Sequence, residues 1–123
     1  MEGDLFTCFI RYEIAPGKLE AFKEYAHAWI ALIRKHGGIH HGYFLPAENG
    51  EMPSDASFSF PGVGREGPAN IGIALFSFST LDAYERYRRE VANDEDCKRA
   101  SARLNETKCF SAYERTFLLP MFE

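Results

Sequence analysis

Several things are scarce in this sequence, and each scarcity excludes a class of protein. Of 123 residues only three are cysteine, at positions 8, 97 and 109. An odd, widely spaced set builds neither a disulfide framework nor a zinc knuckle. Reduced thiols fit a cytoplasmic setting. Long hydrophobic runs are missing as well. The opening stretch MEGDLF is acidic and no apolar run of spanning length follows it, so neither a secretory signal nor a membrane helix is expected. Positive charge is not in excess: 14 Lys and Arg against 18 Asp and Glu leave a formal net charge of −4. With no dense basic stripe, a nucleic-acid partner is not expected. Spacings of the His-x-His, His-Glu-x-x-His and Cys-x-x-Cys kinds do not occur, nor does Gly-x-Ser-x-Gly. No metal and no cofactor is therefore assigned. Gly62 to Gly67, GVGREG, matches G-x-G-x-x-G, but Pro61 precedes it, Pro68 follows it, and the next element reads as a strand. A dinucleotide fingerprint needs a strand before and a helix after, so these are loop glycines.

Aromatic residues, by contrast, are plentiful, with eleven Phe and six Tyr. That predicts a generous apolar core, a subunit interface, or both. The length suits a single domain, residues 1–123. Residues 4–14, DLFTCFIRYEI, alternate as a strand. Both its faces are apolar near the start, as in a central strand covered on both sides. APGK ends it. A helix from about Lys18 to His36 follows, with Leu19, Phe22, Ala26, Trp29, Ile30 and Ile33 as its buried stripe. Gly37 or Gly38 closes that helix. A second strand spans about 39–46. A long glycine-rich connection, 48–69, reads as a flap. A third, nearly continuous apolar strand spans 70–78. Ser79 to Asp82 form a helix start signal, after which Leu81, Tyr84 and Val91 can face the core. ANDED interrupts this helix, a further segment runs from about Glu95 to Glu106, and a last strand covers about 108–119. The order β-α-β-β-α-β predicts an α+β, ferredoxin-like fold with a four-stranded antiparallel sheet and the first and third strands in its centre.

Three of the four histidines lie in RKHGGIHHGYF, residues 34–44. His36 suits the negative end of the preceding helix. His40 and His41 are neighbours on a strand and point to opposite faces unless the strand bulges. His41 then shares a face with Ile39, Tyr43 and Leu45. If that face looks into a pocket, His41 and Tyr43 are a proton-exchanging pair and the candidate catalytic residues; otherwise they fill a half-polar face or a dimer interface. Arg11 and Arg115 have two readings as well. They pair with glutamates across the sheet rim, or one of them holds a substrate carboxylate with Tyr12 or Tyr113 as hydrogen-bond donor. Cys8, in mid-strand, reads as a small core residue.

YEIAPGKLEAF at 12–22, RKHGGIHHGYF at 34–44, SFSTLDAYERYRREVANDED and SAYERTFLLP together resemble the NIPSNAP family. The likeness runs through nearly the whole chain except residues 48–69. Cys8 and Ile10 stand where the family's first strand carries Glu and Arg, while Tyr12 keeps the Tyr. The resemblance implies a ferredoxin-like domain that pairs as a homodimeric α+β barrel, sheets facing each other and helices outside. It also implies a choice. The superfamily contains cofactor-independent monooxygenases, lyases and haem enzymes with pockets in or beside the barrel. The first reading is a protein that binds or transforms a small, partly aromatic molecule, with His41, Tyr43, Tyr12, Trp29 and Tyr113 around the pocket and residues 48–69 as a lid. If catalytic, it is monooxygenase-like or lyase-like. The alternative is a non-catalytic dimeric interaction domain with a filled barrel interior.

Overall fold

The computed structural model describes residues 5–46 and 69–122. Its elements in chain order are β1 (Phe6–Ile14), α1 (Leu19–Lys35), β2 (Ile39–Phe44), β3 (Ile71–Phe78), α2 (Leu81–Val91), α3 (Glu95–Thr107) and β4 (Phe110–Leu118). The strands form one sheet in the order β2-β3-β1-β4, and every neighbouring pair is antiparallel. This is the expected ferredoxin-like layout, with the two most apolar strands in the centre. The expected flap, apart from Ala69, lies outside the described residues.

Register decides what each face carries. Cys8, Ile10 and Tyr12 of β1 lie opposite Phe76, Ala74 and Gly72 of β3. They pack with Phe22, Leu32 and Ile33 of α1 and with Tyr84, Tyr87 and Val91 of α2 in one buried core. Each large apolar side chain fully withdrawn from water there contributes about 1.5–3 kcal/mol. The other face alternates with it: Thr7, Phe9, Arg11 and Glu13 of β1 lie opposite Ser77, Leu75, Ile73 and Ile71 of β3. The helices do not pack on this face. Ile39, Phe44 and Leu118 at its margins are about half exposed.

The helix ends follow their sequence signals with small shifts. Gly37, at φ +92°, takes the left-handed conformation after α1. His36 Nε2 lies 2.9 Å from Asp94 Oδ2. Asp94 also caps α3 by accepting from the Asp96 amide at 2.8 Å, so this histidine fastens the end of α1 to the start of α3. The hydrogen bonds from Lys35 and His36 hold the Asp94 carboxyl below the usual carboxylate range. At α2 the capping residue is Thr80, whose hydroxyl accepts from Ala83 N at 3.0 Å. The cap therefore sits one residue later than the Ser79 signal placed it. Leu81 becomes the first helical residue at the rim and is 50% exposed, contrary to the expected core position. In α1, Leu32 is fully buried, whereas Leu19, Trp29 and Ile30 of the expected stripe are half-buried.

Gly38 is required by space. A Cβ there would stand 2.6 Å from Ile33 Cγ2 and 2.8 Å from Phe78 Cζ. Both are buried side chains with little room to yield. Gly38→Ala is expected to destabilise the fold by about 1–3 kcal/mol, the usual cost of overpacking. Equilibrium unfolding in urea measures it; wild-type stability in that variant would show that the joint between α1 and β2 relaxes freely.

Candidate ligand-binding cavity

A bulge in β2 sets the local geometry. Ile39 and His40 lie opposite Ser77 and Phe76, but Gly42 and Tyr43 lie opposite Leu75 and Ala74, and the register shifts in between. His41 is the inserted residue. One extra residue reverses the alternation of everything after it. Gly42 supports the bulge with φ +110°, a conformation that side-chain-bearing residues rarely adopt, and its amide donates to His40 Nδ1 at 2.9 Å. His40 and Tyr43 therefore share the helix-covered face, their rings stacked with centroids 5.1 Å apart. His41 faces the open side, where its Nε2 lies 2.8 Å from Ser77 Oγ. Ser77 Oγ in turn lies 2.7 Å from Thr7 Oγ1. The expectation that His41 and Tyr43 share a face is thus corrected: Tyr43 partners His40.

Between the sheet and the helices lies a cavity of about 110 Å³. The sheet supplies Tyr12, His40, Tyr43, Phe76 and Arg115 to its wall; α1 supplies Tyr25 and Trp29, and α2 supplies Tyr87 and Arg88. Of the candidate binding residues, Tyr12, Trp29, Tyr43 and Arg115 come together here. Tyr113 stands beside them, with the Arg115 guanidinium carbon 5.5 Å from its ring centroid, but it does not line the cavity. Arg11 is on the open face and pairs with Glu13 at 3.8 Å, both side chains nearly half exposed. His40, Tyr25, Tyr87 and Arg88 were not singled out from sequence. For His40 a signal was present: a glycine within a strand marks a possible bulge.

The polar chemistry of this wall is one-sided. Trp29 Nε1, His40 Nε2 and Arg115 Nε are buried and make no hydrogen bond among the described residues. The indole and guanidinium nitrogens are donors. His40 accepts on Nδ1 from Gly42, which leaves the proton of the neutral ring on Nε2. The ring is neutral because burial, aided by Arg34 and His41, lowers its pKa to about 4. Burial also raises the phenols of Tyr12, Tyr25, Tyr43 and Tyr87, so they stay protonated at neutral pH. Among the described residues no Asp or Glu lines the cavity. Cys8, pushed up to about 11 chiefly by its burial, remains a thiol. The wall can donate hydrogen bonds and stack rings; among the described residues it lacks a group poised to take a proton at pH 7.

A larger groove of about 570 Å³ runs between α1 and α3. Its rim charges are already paired, Arg103 with Glu24 at 3.1 Å and Lys35 with Asp96 at 3.3 Å. It therefore offers less recognition chemistry than the smaller cavity. Among the described residues no group of three or more His, Cys, Asp or Glu could hold a metal ion, and no helix is long and apolar enough to cross a membrane.

The NIPSNAP family model matches residues 7–59. No curated protein sequence matches the chain. Among solved structures, a NIPSNAP family protein of unknown function from Agrobacterium tumefaciens is similar at 17% identity, covering 98% of this chain and 91% of its own, with a TM-score of 0.70. An uncharacterised NIPSNAP-like domain protein from Burkholderia xenovorans is similar at 18% identity over 97% and 87%, TM-score 0.66. A candidate antibiotic biosynthesis monooxygenase from Caulobacter crescentus shares the fold at 12% identity over 98% and 92%, TM-score 0.60. At such identities the likeness between structures is one of fold. The NIPSNAP resemblance of the sequence is borne out: residues 7–59 match the family's own model, and the chain has the fold of solved NIPSNAP family proteins.

Proposed function

We propose that this chain is a cytoplasmic, single-domain protein that binds a small, partly aromatic molecule in the cavity between sheet and helices. It pairs with a second copy through its open sheet face. One observation carries the binding reading: three buried N–H donors without an acceptor among the described residues belong to residues lining one aromatic-walled hollow. Buried polar atoms in folded proteins nearly always have partners, so three orphans around one space favour a ligand that brings acceptors. The pairing reading is supported by the apolar open face, where Phe9, Ile73 and Leu75 run between the exposed margins Ile39, Phe44 and Leu118. Three free cysteines support the cytoplasmic setting. If the protein is an enzyme of the monooxygenase-like or lyase-like kind, His40 and Tyr43 are the groups placed to touch the reacting molecule. His41 then serves the subunit interface.

Trp29 is the chain's sole tryptophan and lines this cavity, so the protein carries its own reporter. Single-ring compounds such as phenol and catechol are expected to change Trp29 fluorescence saturably and to appear as one added mass per subunit in native mass spectra. A flat signal and bare subunits across such a series would sink the reading. The second reading, a non-catalytic dimeric interaction domain, is favoured by the cavity's volume of about 110 Å³. That is well below the roughly 300–1,000 Å³ of ordinary ligand pockets. It predicts the same dimer with a silent Trp29.

A further inference from the structure

Apolar surface continues past the last strand. After β4 ends at Leu118, the chain runs on as LPMF, residues 119–122, with Leu119, Met121 and Phe122 exposed to 77%, 87% and 77%. Ten large apolar side chains are exposed among the described residues, and five of them lie between 117 and 122. Such crowding is a patch and not the usual scatter of single apolar residues. We propose that residues 119–122 form an intersubunit arm, which in the homodimer crosses onto the sheet margin made by Ile39 and Phe44 of the partner subunit. This rests on the pairing of two copies through their open faces. It goes further by naming a segment that serves the partner and not its own subunit.

The arm starts from the face that pairs. Leu118 lies opposite Thr7, Thr7 opposite Ser77, and Ser77 opposite Ile39, so this row crosses the open face from the β4 edge to the β2 edge. Pro120 has no N–H for a ladder, and the residues around it leave the sheet. Their exposure shows that they do not turn back across their own subunit. The size of the face points the same way. Strands of 9, 6, 8 and 9 residues offer only alternate positions to it. That is fewer than the roughly 20–30 residues a side of a standard interface, and the arm supplies part of the difference. Chemistry selects the landing place. When two sheets pack face to face with their strands aligned about a two-fold axis, the β4 edge of one copy comes over either β4 or β2 of the other. On its open face β4 carries Ala112, Glu114 and Thr116, opposite Glu13, Arg11 and Phe9. An apolar arm laid there would strip water from charged side chains at a cost. The β2 margin instead carries Ile39 and Phe44, both about half exposed. There the arm and its landing place withdraw apolar surface from water together.

Sedimentation velocity over a dilution series of the full-length protein tests the arm. The double variant Met121→Asp/Phe122→Asp is expected to weaken the dimer at least a hundredfold with an unchanged melting transition, because neither side chain belongs to the core. A dimer as tight as wild type in this variant would overturn the arm. Leu75→Lys, in the middle of the open face, separates that failure from failure of the pairing: if it alone dissociates the dimer, the arm falls and the pairing stands, and if neither variant does, both fall. A wild-type protein that stays monomeric throughout would also overturn both. Disulfide trapping reads the landing place. Ile39→Cys/Phe122→Cys is made with Cys97→Ser, the other two cysteines being buried. On oxidation it is expected to give a covalent dimer that neither single variant gives. A covalent dimer from Phe122→Cys alone would set arm against arm, and a disulfide within one chain would set the arm on its own sheet. Either result, or no disulfide at all, would overturn the β2 margin as the landing place.

Discussion

Leu75→Lys is expected to turn the proposed homodimer into a folded monomer. Leu75 is in the middle of β3, a central strand, opposite Phe9 of β1 and Gly42 of β2 on the open face. It is half-buried in the lone subunit, so pairing would complete its burial. In a two-fold interface every substitution is present twice. Because Leu75 is already half-buried, loss of its remaining contact on each copy removes about 1.5–3 kcal/mol in all, taking the usual 1.5–3 kcal/mol per fully buried side chain. That corresponds to a dissociation constant weaker by about 10–10², before the cost of desolvating two ammonium groups is added. The helix-covered core makes no use of this face, so circular dichroism and the melting transition should remain cooperative. Sedimentation velocity at micromolar concentration reads the result. A Leu75→Lys protein that sediments as a dimer would exclude the open sheet face as the pairing surface, and with it the barrel.

The second large effect is a dependence of stability on pH that belongs to His40. In the folded chain its pKa falls to about 4, chiefly because burial disfavours the charged ring, with Arg34 and His41 adding repulsion. Arg88 and Arg115 line the same cavity, and no acidic group among the described residues there opposes them. In the unfolded chain the ring returns to its ordinary value of 6.5. Between those values the unfolded state binds a proton that the folded state refuses, so stability falls as the pH is lowered from 6.5 to 4. Full passage through the window costs about 3 kcal/mol at 1.4 kcal/mol per unit. His40→Gln has no such titration. The difference between wild-type and His40→Gln stabilities, measured by urea unfolding at steps from pH 7.5 to pH 4, should therefore shrink or reverse by about that amount. Asp94 does not interfere, because its depressed carboxyl loses its contribution only as the pH falls below the ordinary 3.8. Curves that stay parallel across the window would show that the His40 ring is solvated or carries a proton in the folded protein.

These two experiments address features that were differently visible in the amino-acid sequence. The sheet order could be reasoned out because β1 and β3 read as apolar on both faces and because β-α-β-β-α-β leaves few simple arrangements. Helix ends were legible to within a residue, since capping and glycine closure are local chemistry. Thr80 taking the cap in place of Ser79 is the scale of error that local rules leave. The site was harder. Tyr12, Trp29, Tyr43 and Arg115 could be listed as candidates from residue type, but so could Arg11 and Tyr113, which the register places on the open face and beside the cavity. Residue type tells what a side chain can do; only the pairing of strands tells which side chains meet.

His40 makes the distinction concrete. Counting by twos along IHHGYF joins His41 to Tyr43 and sends His40 to the other face. The bulge at His41 undoes that count, because pairing with β3 fixes Ser77 and Phe76 against Ile39 and His40 while Leu75 and Ala74 fall against Gly42 and Tyr43. By itself the sequence determined the ferredoxin-like layering, the two apolar faces of the central strands and the supply of aromatic and arginine side chains, since all of these follow from periodicity and composition along the chain. The tertiary structure alone decided that His40, Trp29 and Arg115, drawn from β2, α1 and β4, share one donor-lined cavity. Their convergence depends on strand register and helix packing, which join residues far apart in sequence and leave no local pattern to read.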